Sequence, residues 1–122
     1  METPEDSLYS FIKTHIAFLK DTKLQMQSWG SSDGNYYQMA MSAIYTIWFS
    51  IKGKYAQAGR SIPNLALIDE LLDKIFDYHI ARGGKNPTTA SEHTMLIQSP
   101  GWQSIVAFAN SVYHQMPKGQ SN

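Results

Sequence analysis

The sequence predicts an all-α, compact antiparallel bundle-like domain of four to five helices. Three observations carry that expectation. Apolar residues recur three and four apart in at least four segments, the spacing of one helix face. No segment alternates apolar and polar residues between hairpin turns, as a half-buried strand would. The stretch Tyr36–Ile51 has no charge, no Gly and no Pro, and its polar Gln38, Ser42, Thr46 and Ser50 fall four apart, on one narrow helical stripe. A helix apolar nearly all round is a buried one. The domain is therefore expected to be organised around a central apolar helix over about 35–57, with Ile44, Ile47 and Trp48 in its core.

The elements follow in order. Thr3 can cap a first helix, with Pro4 at its first position and acids in its first turn. Leu8, Phe11, Ile12, Ile16, Phe18, Leu19 and Met26 then mark its apolar face, and Gly30 is its expected stop. Ser31-Ser32-Asp33-Gly34 is turn chemistry, with Asp33 or a neighbouring Ser as the cap of the central helix. That helix can run on to Ala58 across a weakening Gly53, before the break at Gly59-Arg60-Ser61-Ile62-Pro63. Leu65, Ile68, Leu71, Leu72, Ile75 and Phe76 mark a third helix, ended by Arg82-Gly83-Gly84. The polar connector 83–92 follows. With almost no apolar anchor, 83–91 is expected to be the most mobile internal segment. Thr89 and Glu92 have capping-box spacing for a short helix over Ser91 to Gln98. Ser99 and Pro100 open a last helix whose face is Trp102, Ile105, Val106, Ala109, Val112, Tyr113 and Met116. A single helical domain, 1–122, with a flexible tail from about 117, accounts for the whole chain.

Composition narrows the function classes. Ten basic residues balance ten acidic ones, so nothing in the net charge calls for a nucleic acid or an anionic membrane. Zero net charge also removes the repulsion that keeps copies apart. With no Cys, thiol catalysis and Cys-ligated zinc are excluded. The acidic start Met-Glu-Thr-Pro-Glu-Asp is unlike a leader segment, which makes the cytoplasm the expected location. The stretch Gly34–Ile51 approaches the length of a membrane span, but its Asn35, Gln38, Ser42, Thr46 and Ser50 fit a packed helix better.

Four groups of residues invite a functional reading. Asp69, Asp73 and Asp77, spaced i, i+4 and i+8, form an acidic stripe that could dock a basic partner or hold a hard cation. The plainer reading is the solvated side of the third helix. Lys52, Lys54, Tyr55 and Arg60 are a small basic cluster with an aromatic inside it, the one segment suited to a nucleic-acid backbone. Cations at a helix C-terminus are also favourable without any ligand. His15, His79, His93 and His114 show no ligand spacing and no nucleophile beside them. Gly83-Gly84-Lys85 lacks the upstream Gly and the following Ser or Thr of a phosphate loop. No cofactor or catalytic motif emerges. The aromatic excess of Trp29, Tyr36, Tyr37 and Tyr45 marks the expected contact of a homodimer. The expected function is a small non-enzymatic interaction module of adaptor, inhibitor or immunity type, bound to another protein or to itself. The alternative is a nucleic-acid accessory protein using Lys52–Arg60.

Overall fold

A computed structural model of the protein describes residues 3–117. These residues form six helices and no strand: α1 (Pro4–Leu19), α2 (Thr22–Trp29), α3 (Tyr36–Ala58), α4 (Leu65–Ala81), α5 (Ala90–Gln98) and α6 (Pro100–Gln115). The expected tail lies, beyond Pro117, outside the described residues.

The sixth helix arises because the first expected helix is two. Thr3 caps α1 as its sequence suggests, its hydroxyl accepting from the Asp6 N–H. Asp21 then starts a new helix, its carboxylate accepting from the Leu24 N–H. An Asp that reads as an off-face charge is in fact an N-cap. The break leaves the last carbonyls of α1 without helical partners. Gln25, fully buried, supplies them: its Nε2 donates to Phe18 O and Leu19 O.

α1, α3, α4 and α6 form an up-down-up-down bundle in which α1 packs on α3 and α6, and α4 on α6, while α3 and α4 meet through long side chains. The end of α3 meets the start of α1 through Tyr55 Oη donating to Asp6. α3 and α4 run past each other with Tyr45 opposite Leu72 and Trp48 opposite Asp69. Tyr78 and Lys74 of α4 reach Ser99 and the Phe108 ring at the start and middle of α6. α6 closes the ring against α1. The two short helices interrupt the α1–α3 and α4–α6 connections and pack on each other, covering the end where α3 and α6 begin. Gly59 ends α3 in the left-handed region, at φ 66, where a side chain is disfavoured.

α3 buries Tyr37, Met41, Ile44, Trp48, Ile51 and Tyr55. The intervals are four, three, four, three, four, the seam of a coiled-coil-like packing. α3 is therefore covered along one side and not all round. Ile44 and Trp48 are core residues as expected, but Ile47, one position off the seam, is half-buried. On its outer side Met39 is 60% exposed and Phe49 82%. The reason is spacing: α3 packs closely on α1, whereas α4 stands off and is reached through the long side chains of Tyr45 and Trp48.

Candidate functional site

At the covered end of the bundle, two helix starts exchange caps. Asn35 precedes α3 but makes no side-chain cap. Instead His93 of α5, fully buried, accepts the Tyr37 N–H at Nε2, 3.1 Å away, while its Nδ1–H donates to Thr89 O. Those two partners define the tautomer. Asp33, expected to cap α3, accepts from the Ala90 N–H in the first turn of α5. Gly34 N–H donates to Thr88 O alongside. Trp29, Tyr36 and Tyr37 surround this crossing with His93 and Trp102.

This geometry displaces two of the expected dimer contacts. Trp29 and Tyr37 are 2% and 1% exposed, because the end helices cover them with the chain's own aromatics. Tyr36 and Tyr45 keep partial exposure, with hydroxyls bonded to Ser32 and Asp33, and to Leu72. Burial pushes the Tyr45 phenol up to about 12, with Asp73 and Asp77 adding to the effect.

The connector is also tied down. Pro87 is buried, Thr88 and Ala90 bond the turn before α3, and Arg82 donates to Lys85 O. Glu92 closes the capping box and accepts from both Thr88 and Thr89 N–H, bonds that hold its carboxyl below the usual range. Backbone hydrogen bonds anchor this segment where apolar side chains are scarce. Gly83 and Gly84 are the turn after α4, their N–H groups donating to Ile80 O and His79 O.

The basic segment is neutralised within the fold. Lys52 pairs with Asp69 at 2.9 Å and lies over the Trp48 ring. Arg60 lies over the Tyr55 ring and bonds Glu5 at 2.9 Å and Asp6 at 3.2 Å. The Arg60 hydrogen bonds hold both carboxyls below their ordinary values. Tyr55 itself is core, its hydroxyl bonded to Asp6. Lys54 remains exposed, too little for a backbone-tracking groove. The acidic stripe divides in the same way. Asp69 faces α3, where burial opposes its ionisation but Lys52 and the Trp48 N–H bring its carboxyl below the ordinary value. Asp73 and Asp77 face outward. Among the described residues no three His, Asp or Glu side chains converge as a metal site.

What remains open is the outer face of α3. Gln38, Met39, Ser42, Thr46, Phe49 and Ser50 are exposed along it, and no charged residue interrupts it from Gly34 to Ile51. Phe11 of α1, 52% exposed, and Phe76 of α4, 56%, flank it on either side. Sequence reasoning expected more apolar surface on the central helix than the bundle covers, but placed the contact at Trp29, Tyr36, Tyr37 and Tyr45 rather than at Met39 and Phe49. The four-three spacing of the buried seam was already legible, and Met39 and Phe49 fall outside it. Phe11 and Ile12 are adjacent, so one helix face cannot bury both. No helix among the described residues is long and apolar enough to cross a membrane. No protein-family model matches the chain, and no curated protein or solved structure is detectably similar to it.

Proposed function

We propose that the protein is a non-enzymatic helical interaction module of the cytoplasm, of adaptor, inhibitor or immunity type, that acts by presenting the outer face of α3. Its first partner is a second copy of itself. One observation carries this reading: a long uncharged helix face with Met39 and Phe49 exposed on it. Exposed apolar patches on small proteins mark interaction sites, and interface centres are poor in charge and rich in aromatics and Met. The neighbouring α4 differs in charge: its exposed residues mix Glu70, Asp73, Lys74 and Asp77 with Phe76 and Ile80. A like copy suits the α3 face because neither surface brings charge to the contact, and the net charge of the whole chain is zero. Small Ser42 and Ala43 between the larger groups let a second helix approach. A two-fold arrangement would bury both faces at once.

The absence of Cys makes the test direct. A single Cys placed at exposed Ser42 should form an intermolecular disulfide under mild oxidation. A Cys at exposed Ala107, on the outer side of α6, should not. Equal cross-linking at both positions would remove the support for this face.

A further inference from the structure

The C-terminal end of α4 borders a cleft of about 450 Å³, flanked by the connector, α5 and the start of α6. That volume is in the range of small-ligand sites. No residue of its lining lies on α3, so it stands apart from the self-association face. Tyr78 forms one wall. Its ring lies across the first turn of α6, where a Cβ at position 101 would meet it at 2.7 Å, and Gly101 leaves the room. The Ser99 hydroxyl donates to Leu96 O, so the Tyr78 phenol donates to Ser99 Oγ and the wall is fixed. Buried Pro87 and Leu96 and exposed Met95 supply the rest of the apolar lining. The polar side is cationic. Of the chain's two arginines, Arg60 is taken by Glu5 and Asp6, whereas Arg82 makes no ion pair among the described residues. Its guanidinium is nonetheless held in place, 5.7 Å from the Tyr78 ring centroid and donating to Lys85 O at 2.7 Å. A guanidinium held this way loses little freedom on gripping a carboxylate with its other N–H groups. Lys85, exposed, also makes no ion pair among the described residues. Glu92 is the one acid of the lining, and its Oε1 is occupied by Thr88 and Thr89. With Arg82 and Lys85 against Glu92, and no histidine in the lining, one positive charge is left over.

We propose that this cleft binds a small aromatic monocarboxylate, its carboxylate on Arg82 and Lys85 and its ring against Tyr78, Met95 and Leu96. Charge and shape each narrow the class. One surplus positive charge matches one carboxylate, while a dianion would bring uncompensated charge near Glu92. The planar fork of Arg82 fits a carboxylate through two parallel hydrogen bonds. The Asn86 side-chain amide, also in the lining, adds a donor. A bare anion would leave the apolar wall unused, whereas a ring can stack or meet edge to face with Tyr78 and touch the Met95 thioether.

The test titrates 2-naphthylacetate into 15N-labelled protein, with backbone amide shifts as the readout. Saturable shifts centred on Arg82, Lys85, Met95 and Gly101 are expected. The neutral 2-naphthylacetamide, which keeps the ring and loses the charge, should bind about tenfold more weakly or less. Inorganic phosphate, which keeps a charge and loses the ring, should not displace the probe at equal concentration. Arg82→Gln should weaken probe binding by a similar factor. Met95→Glu is the second variant: Met95 is 70% exposed, so the fold tolerates the change, and the new carboxylate should repel the probe. No saturable shifts in wild type up to about 10 mM probe, a range that covers weak ligands of this size, would overturn the proposal. So would equal binding of the amide, displacement by phosphate, or unchanged affinity in either variant.

Discussion

His93 joins two elements by a single ring. Its Nε2 is the acceptor for the Tyr37 N–H, and a protonated Nε2 would face that N–H as a second donor. His93→Ala should therefore cost about 2–4 kcal/mol, combining an orphaned buried N–H with a cavity. Urea unfolding measures it, and a loss below about 0.5 kcal/mol would mean that water replaces the ring at no cost. Arg60 gives the second prediction at this scale. Its partners Glu5 and Asp6 have carboxyls held below their ordinary 4.5 and 3.8. A depressed folded value stabilises above the unfolded value and is lost as pH falls through the folded one. Arg60→Gln should melt below wild type at neutral pH. The gap should hold above about pH 5 and close below about pH 3. A gap that persists in acid would show that Arg60 acts through its packing on Tyr55 instead.

At the scale of the element, helix existence was legible and helix partnership was not. Periodicity placed α3, α4 and α6, and cap chemistry at Thr3, Thr89 and Ser99 placed their starts or those of their neighbours. The division at Asp21 was missed because apolar spacing continues through it to Met26. The cap of α3 by His93, and the added bond from Asp33 to the first turn of α5, were missed because they come from residues 56 and 57 positions away. Sequence signals for caps are local, and these are not. Gln25 shows how much such a long-range contact carries. Besides the two carbonyls of α1, it accepts the Trp102 indole N–H at 2.8 Å. Gln25→Leu keeps the volume but leaves Leu19 O and the Trp102 indole N–H unpaired, while Phe18 O keeps the Asp21 N–H, and should cost about 2 kcal/mol in chemical denaturation. A neutral substitution would show that the α1–α2 break is held by Asp21 alone.

At the scale of the molecule, the bundle hides two of the aromatics that composition suggested for a contact, Trp29 and Tyr37, and exposes others. Several phenols lie inside it, and burial pushes Tyr9 up to about 12. A raised folded value gives stability that is complete below the unfolded value and falls as pH rises above it. Unfolding midpoints in urea should thus decline above about pH 10; an unchanged midpoint at about pH 11 would place the phenols in water. The central claim is that the uncharged outer face of α3 is a self-association surface. Phe49, 82% exposed, is the residue through which to test it, since its substitution disturbs no core contact. Sedimentation equilibrium across micromolar concentrations should give twice the chain mass for wild type and one chain mass for Phe49→Glu. A wild-type mass of one chain throughout, or a dimer that Phe49→Glu leaves intact, would contradict it.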